Sequence, residues 1–296
     1  MIGIVSHDSG GAELISSYLK HQKKYKNYLF NLSGPAKKIF RKKIGICKNT
    51  DLNKLIKFSH KIIVTCGSII EKKTLKLSIS KKIKTILVLD SWLYYKERLI
   101  YKDGSINYPD EIWVFDKHAH NKAKKIFRLP IKLKRNFYLH DLKKKFIKKK
   151  NNNILYFCYP DKFEYNIFFK NKIKWYKELI AIKKFVKILN KLISNKKEFK
   201  LILRLHPKQN LKITYWKNYY RKIFEKDDIN VKFSKNKNLI DDLSENSFIV
   251  GSHTQALYFS KMLYKKTFSL ASKKNLKNIF PEIKLLEIDY LLRYIK

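Results

Sequence analysis

A basic segment, Arg-Leu-His-Pro-Lys, stands where the apolar run 201–203 ends. Arg204 and Lys208 could neutralise a diphosphate, and His206 could hydrogen-bond a phosphate and stabilise charge on a departing nucleotide. A strand end followed by a loop that begins at a proline would also explain the segment. The arginine favours the functional interpretation, because its planar fork pairs with two acceptors at once and lysine dominates elsewhere in the chain.

The loop after the first predicted strand carries a second set of polar residues, in which His7 and Asp8 precede Gly10 and Gly11. These side chains should project beyond the strand, where Asp8 could act as a general base and His7 as an alternative base or orienting partner. The paired glycines let the backbone approach a ligand and open a helix whose N-terminal N–H groups suit an anion. Helix capping by Asp8 or Ser9 is the competing explanation. The dinucleotide-binding pattern G-x-G-x-x-G is absent.

A third polar segment follows the apolar run 248–250 and consists of Gly251, Ser252, His253 and Thr254. The hydroxyl groups of Ser252 and Thr254, together with the N–H groups at the start of a helix, would make a phosphate cradle. Ordinary capping of that helix explains the same residues equally well.

Two smaller features could also carry chemistry. Asp90 ends the fourth predicted strand and is either a helix or turn cap or a carboxylate that binds an acceptor. His118 and His120 have the composition of a metal pair, but residues two apart on a helix point in different directions. We therefore discount a metal ion at these histidines.

Short apolar runs alternate with amphipathic segments, beginning with a strand at 2–6 and a helix from residue 11. Strands separated by helices predict parallel, doubly wound sheets, which bind ligands at the carboxyl ends of their strands. The segment 143–153, with six lysines and three asparagines, interrupts the alternation and is typical of a linker. We therefore expect an α/β protein with two Rossmann-like domains, 1–148 and 149–296, whose parallel sheets face a cleft.

The formal net charge of +43 raises the question of nucleic-acid binding. Only seven of the 67 basic residues are arginine, whereas base and phosphate recognition favours the arginine fork. We therefore interpret most of the charge as solvated surface and expect no specific nucleic-acid partner. The remaining charge could hold the protein peripherally at an anionic membrane.

The three cysteines are Cys47, Cys66 and Cys158, and their spacing matches no metal site. An odd number of widely separated cysteines is typical of a reduced compartment. No apolar run has the length that spans a bilayer, and the chain opens directly on a predicted strand. The expected location is cytoplasmic, with peripheral association at the inner face of the membrane as an added possibility.

The segments 204–208 and 251–254 resemble the nucleotide-binding half of GT-B-fold glycosyltransferases. The resemblance is closest to the bacterial polysialyltransferase, capsule-polysaccharide and CDP-glycerol glycerophosphotransferase group, in which a His-Pro motif and a Ser/Thr-rich loop bind the nucleotide. One departure is that residues 254–263 contain no acid, whereas many GT-B enzymes place a glutamate for the ribose there.

That resemblance implies roles for individual residues. His206 would contact the donor phosphate, and Ser252 and Thr254 would cradle it. An N-terminal carboxylate, Asp8 by position, would be the base. The resemblance further implies an enzyme without a divalent metal or resident cofactor, with an acceptor-side N-terminal domain and a donor-binding C-terminal domain.

The leading functional expectation is a glycosyltransferase that moves a sugar from a nucleotide-sugar donor to a surface-polysaccharide or glycolipid acceptor. A nucleotide-sugar 2-epimerase is one alternative, because it shares the two-domain architecture and would release an isomerised donor without any acceptor. A basic nucleic-acid-binding protein is the non-enzymatic alternative. It predicts strongly salt-dependent binding to unrelated oligonucleotides.

Overall fold

The computed structural model describes the chain apart from residues 24–25, 46–47, 66, 93, 102, 160–177, 237, 253, 264, 272–281 and 296. The described residues form two compact units, Met1–Asp141 (unit 1) and Leu142–Lys296 (unit 2). The division falls a few residues before the expected boundary at 148. In both units a parallel sheet is interleaved with helices, which confirms the expected α/β class with two Rossmann-like domains.

Unit 1 is built on a sheet whose described strands run in the order β2-β1-β3-β4-β5-β6, all parallel. The inner strands are buried along most of their length, as expected where helices cover both faces of a parallel sheet. The strands are β1 (Ile2–Ser6), β2 (Tyr28–Leu32), β3 (Lys61–Thr65), β4 (Lys84–Val88), β5 (Glu111–Val114) and β6 (Ile131–Leu133).

The helices of unit 1 bury apolar stripes against this sheet, and several begin at a capping side chain. The carboxylate of Asp51 accepts the N–H groups of Asn53 and Lys54, and Asp116 accepts that of Ala119. The described helices are α1 (Ser9–Gln22), α2 (Gly34–Ile44), α3 (Leu52–Phe58), α4 (Ile69–Ser80) and α5 (Lys117–Ile126), and α6 (Phe137–Lys145) begins in unit 1 and ends beyond Asp141.

Unit 2 repeats the plan with the described strand order β12-β11-β10-β7-β8-β9, again parallel throughout. Its edge strands are short, whereas β7 lies at the centre with four of its five residues buried. The strands are β7 (Asn153–Phe157), β8 (Lys200–Arg204), β9 (Val231–Phe233), β10 (Phe248–Gly251), β11 (Lys266–Ser269) and β12 (Lys284–Leu285).

The described helices of unit 2 are α7 (Glu178–Ser194), α8 (Ile213–Glu225), α9 (Leu239–Glu245), α10 (Gln255–Met262) and α11 (Ile288–Tyr294), and a 3-10 helix covers Pro207–Lys212. The core packs Phe185 and Leu189 of α7 and Tyr220 and Phe224 of α8 against Tyr156 of β7. Among the helices that the structure describes, none is both long enough and apolar enough to cross a bilayer.

Both sheets have a point at which the order of the strands changes direction. In unit 1 the chain leaves β1 for β2 on one side and later returns to β3 on the other. In unit 2 the chain leaves β7 for β8 on one side and later returns to β10 on the other side of β7. Ligands of doubly wound sheets bind beyond the carboxyl ends of the strands at such a switch point. The two switch points therefore mark where functional side chains are to be sought.

Candidate functional site

His7 and Asp8 follow β1 at the switch point of unit 1. Asp8 occupies the N-cap position of α1, yet its side chain makes no capping hydrogen bond. Instead Oδ1 of Asp8 lies 2.9 Å from Nδ1 of His7, so the imidazole donates to the carboxylate when Asp8 is ionised. The side chains of His7 and Asp8 are 36% and 21% exposed, respectively. The capping explanation for Asp8 therefore fails, and an accessible His–Asp pair is left at the strand end.

Glu71, in the first turn of α4, lies beneath this pair and is 1% exposed. Its Oε1 accepts the backbone N–H of His7 at 3.0 Å and the hydroxyl of Thr65. Its Oε2 accepts the N–H of Ser68 at 2.7 Å, which closes a capping box at the start of α4. Glu71 thereby joins the loop after β1 to the end of β3.

The pKa of Glu71 is raised to about 7. Burial is the main cause, because it penalises the charged form, and the nearby carboxylate of Asp8 raises the pKa further. Hydrogen bonds from Thr65 and Ser68 act in the opposite direction. A carboxyl group that changes charge near neutral pH is thus held directly under His7 and Asp8, an arrangement common where protons are transferred.

The glycines around this loop are needed for close packing. A Cβ on Gly11 would lie 2.5 Å from the Cβ of Thr65, so only glycine lets α1 approach β3 this closely. A Cβ on Gly67 would overlap Oδ2 of Asp8. Gly10 lies in the first turn of α1, and a role for Gly10 or Gly11 in ligand binding stays a prediction.

Asp90 follows β4 and is held by an ion pair. Nη1 of Arg98 lies 2.7 Å from Oδ1 of Asp90, and Nη2 of Arg98 donates to the hydroxyl of Ser91. The Asp90 and Arg98 side chains are 12% and 11% exposed, respectively. This pairing differs from both sequence-based explanations for Asp90 and organises the loop after β4.

In unit 2 a buried carboxylate occupies the corresponding switch point. Glu178, at the start of α7, accepts the hydroxyl of Tyr156 at 2.6 Å and the N–H of Tyr159 at 3.1 Å, both on Oε1. Its Oε2 accepts the hydroxyl of Ser252 at 3.1 Å. Glu178 therefore ties the ends of β7 and β10 to the first turn of α7.

The residues after β10 have two roles: Ser252 joins the Glu178 network, and Thr254 caps a helix. The hydroxyl of Ser252 donates to Glu178, and the backbone carbonyl of Ser252 accepts the hydroxyl of Ser269. The hydroxyl of Thr254 accepts the N–H of Ala256 at 3.3 Å, as the capping explanation predicts. Gly251 ends β10 opposite Phe157. His253 lies outside the described residues, and phosphate binding by this segment stays a prediction.

Arg204, at the end of β8, contacts Asp242 of α9. Nη1 of Arg204 pairs with Oδ2 of Asp242 and also donates to the carbonyl oxygens of Asn236 and Asn238, at 3.0 and 3.4 Å. Asp242 is 2% exposed and also accepts from Ser234. Arg204 thus braces the loop between β9 and α9, and its contact with a diphosphate stays a prediction.

His206 is positioned by its own backbone. Its N–H donates to Oε1 of Gln209 at 2.7 Å, and its carbonyl accepts the N–H of Gln209 at 2.8 Å. Nε2 of Gln209 lies 3.0 Å from the hydroxyl of Tyr220, so this turn is anchored in the core. The imidazole lies edge-on to Tyr159, with ring centroids 6.4 Å apart. The side chain of Lys208 lies outside the described residues.

Two central residues, Glu71 and Glu178, were missed in the sequence. Glu71 carries a usable signal, because Ser68 and Glu71 have the S-x-x-E spacing of a capping box. Glu178 precedes an apolar helical stripe and has no such marker. Its partners come from β7 and β10, and only the fold brings those strands together.

Comparison with known proteins places the fold. No protein-family model and no curated protein sequence matches the chain. The UDP-N-acetylglucosamine 2-epimerase of Neisseria meningitidis bound to UDP-N-acetylglucosamine has a TM-score of 0.59 at 11% identity, with 99% of this chain and 89% of that chain covered. The Methanocaldococcus jannaschii 2-epimerase in complex with UDP-N-acetylglucosamine and UDP gives 0.59 at 10%, covering 98% and 90%. The S. aureus MnaA–UDP structure gives 0.62 at 10%, covering 90% and 78%.

These likenesses establish a GT-B-like fold and correct the leading functional expectation. Several of the solved structures that resemble the chain are UDP-N-acetylglucosamine 2-epimerases. The expectation of a glycosyltransferase with a glycan or glycolipid acceptor is therefore wrong, and these likenesses favour the 2-epimerase alternative over it. The narrower resemblance to the polysialyltransferase group finds no support in these comparisons.

Proposed function

We propose that this chain is a nucleotide-sugar 2-epimerase that acts on a UDP-linked N-acetylhexosamine. The observation that carries the proposal is that accessible Asp8, paired with His7, lies close enough to buried Glu71 to raise its pKa at the switch point of unit 1. Structures of the same fold with UDP-N-acetylglucosamine or UDP bound support the choice of substrate class.

The reaction must break and remake the C2–H bond of the sugar. No carbonyl group adjoins C2, so a base removes this proton most readily as the nucleotide leaves C1. The C–H electron pair then forms the C1–C2 double bond, and the C1–O electron pair departs with UDP. Return of the UDP oxygen to C1, with a proton delivered to C2 from the opposite face, gives the epimer. No acceptor and no net redox change are involved.

In this proposal Asp8 removes the C2 proton, because it is the more accessible of the two carboxyl groups. His7 holds the Asp8 carboxylate through Nδ1 and carries protons between it and solvent. Glu71 does not touch the sugar. It fixes the backbone of His7 by accepting its N–H, and its raised pKa lets it gain or lose a proton at neutral pH as the charge on His7 and Asp8 changes.

Unit 2 would hold the nucleotide. His206 is partly exposed at the end of β8, and its turn is fixed by Gln209, so it would donate to a phosphate oxygen at small entropic cost. The N–H groups at the start of α10, after Thr254, would add partial positive charge. Charge on departing UDP would be stabilised in this way without a metal ion.

The proposal is tested by incubating the protein with UDP-N-acetylglucosamine in D₂O and following the sugar by proton NMR. We expect the C2 proton signal to disappear as deuterium enters, together with new signals of the manno epimer. Asp8→Asn should lower both rates at least a hundredfold, as for loss of a catalytic base.

Asp51→Asn is the matched control, because Asp51 only caps α3 and asparagine caps equally well. It should leave both rates unchanged. Deuterium exchange that persists in Asp8→Asn would remove Asp8 as the base. Absence of exchange and of UDP binding in the wild-type protein would overturn the proposed function.

A further inference from the structure

Three potential metal ligands meet at the far end of α1 from the His7–Asp8 pair. Nε2 of His21, in the last turn of α1, lies 2.8 Å from Oδ1 of Asp141, and Nδ1 of His140 lies 3.9 Å from the same oxygen. His140 and Asp141 belong to α6. The three ligand atoms all lie within 4.8 Å of one another. We name these residues the His21 cluster.

The spacing of the cluster is close to what a tetrahedral metal site requires. Zinc binds imidazole nitrogen at about 2.0–2.1 Å and carboxylate oxygen at about 2.0–2.2 Å, so neighbouring ligand atoms stand about 3.4 Å apart. The two separations that involve Oδ1 of Asp141, 2.8 and 3.9 Å, fall on either side of that value. Shifts of well under an ångström in each side chain would bring three ligands around one ion.

One ligand atom is buried without a hydrogen-bond partner. Nδ1 of His140 is shielded from solvent and makes no hydrogen bond within the described part of the chain. A buried, unpartnered imidazole nitrogen is costly, because it loses its hydrogen bond to water and gains nothing in return. A metal ion shared with His21 and Asp141 would satisfy this nitrogen.

The neighbouring side chains hold the imidazole of His21 in place. Its ring stacks on Phe137 with centroids 4.3 Å apart and planes 12° apart, and the ring of His140 stands edge-on to it at 5.9 Å. The ammonium group of Lys43 interacts electrostatically with Asp141 but is paired with Glu13, and the guanidinium group of Arg135 lies 5.2 Å from the centroid of the Phe137 ring. Two imidazoles and one carboxylate form the donor set that divalent transition-metal ions prefer.

We propose that the His21 cluster binds one divalent transition-metal ion, of which zinc is the representative, and that the ion links α1 to α6. A structural role fits the position. His21 is 13 residues after Asp8, so the cluster lies roughly 20 Å along the axis of α1 from Asp8. The resemblance found in the sequence implies no divalent metal, and the ion proposed at the His21 cluster departs from that expectation.

The experiment uses the full chain without a polyhistidine tag, stripped with chelator and dialysed. Zinc chloride is titrated into the protein in a calorimeter at neutral pH, because metal binding competes with protons for its ligands. Cobalt(II) is then added and its visible absorption recorded. We expect one ion per chain, a tetrahedral cobalt spectrum, and a melting temperature that rises with metal concentration.

His140→Ala should weaken zinc binding at least tenfold, and Asp141→Asn should do the same if the alanine variant folds poorly. His120→Ala, on α5, is the matched control and should bind as the wild type does. Failure of the wild-type chain to bind zinc or cobalt would overturn the proposal. Unchanged binding in folded His140→Ala or Asp141→Asn would overturn it as well, because the ion would then lie elsewhere.

Discussion

The hydroxyl of Ser252 donates to Oε2 of Glu178 across 3.1 Å, and both side chains are buried. This hydrogen bond holds the end of β10 against the first turn of α7 at the switch point of unit 2. Ser252 also receives the hydroxyl of Ser269 on its carbonyl, so it links β10 to both α7 and β11. The geometry favours a structural role for this serine over direct contact with phosphate.

Ser252→Ala is therefore expected to act on stability. Loss of one hydrogen bond to a buried carboxylate should lower the free energy of unfolding by about 1–3 kcal/mol. Affinity for UDP, measured by calorimetry, should stay within about twofold of the wild type. Ser194→Ala, at the exposed end of α7, is the control and should change neither quantity. A tenfold loss of UDP affinity with unchanged stability would instead identify Ser252 as a phosphate ligand.

Much of the fold can be predicted from the sequence because inner parallel strands are continuous apolar runs. The apolar runs 2–6, 201–203 and 248–250 predict β1, β8 and β10, with polar residues at their ends. β6 was missed, because it has three residues and none of them is buried. A short edge strand lacks the apolar signal and forms only because its neighbour offers free backbone groups.

The candidate site was predictable only in part, for a different reason. His7, Asp8 and His206 stand at strand ends and are visible as polar residues after apolar runs. Glu71 and Glu178 lie inside helical segments. Their hydrogen-bond partners His7 and Ser252 are far from them in the sequence and are brought close only by the fold. The partner of Arg204 is 38 residues away, so the engagement of that arginine could not be deduced from local pattern.

Gly67→Ala should displace the Asp8 carboxylate, because the new methyl group would overlap Oδ2. We expect a loss of about 1–3 kcal/mol in the free energy of unfolding, measured in urea, as for other overpacking changes. In an Asp8→Ala background the share of that loss caused by the overlap should vanish, whereas the backbone strain of alanine at φ +158° should remain. Gly104 also has a positive φ, but a Cβ there would have nothing within 4 Å. The loss of stability in Gly104→Ala should therefore be the same with and without the Asp8 side chain. Equal costs of Gly67→Ala in both backgrounds would disprove the contact.

Glu71 should make stability depend on pH. Its pKa is raised to about 7 in the folded protein, above its ordinary value of 4.5, so the folded state binds more protons between these values. The free energy of unfolding contributed by this group therefore falls as pH rises from about 4.5 to 7 and is constant above that range. One pKa unit is worth about 1.4 kcal/mol, so the total approaches about 3 kcal/mol.

Glu71→Gln should abolish this dependence, because glutamine is neutral at every pH. Unfolding is followed in urea from pH 5 to 8, and the difference between variant and wild type should grow in favour of the variant as pH rises. Asp8→Asn should reduce the slope, since the Asp8 carboxylate contributes to the raised pKa. The exposed Glu198→Gln is the control. A constant difference across the range would contradict the raised pKa.

Arg204→Ala should destabilise unit 2 by about 3–5 kcal/mol, because it leaves the buried carboxylate of Asp242 without its cation. Arg204→Lys should recover part of this loss, because an ammonium group restores a positive charge beside the buried carboxylate of Asp242. Arg293→Ala, at an exposed position on α11, should have little effect.

The double variant Arg204→Ala/Asp242→Asn separates the structural role from a phosphate contact. If Arg204 acts mainly through its ion pair with Asp242, removal of the Asp242 charge should restore much of the stability lost in Arg204→Ala. The effects of the two substitutions on the free energy of unfolding in urea should then be strongly non-additive. UDP affinity measured on the folded double variant then reports the arginine's remaining contribution to the nucleotide. Full stability in Arg204→Ala, with UDP affinity lost, would show that the guanidinium serves the ligand and that Asp242 tolerates its absence.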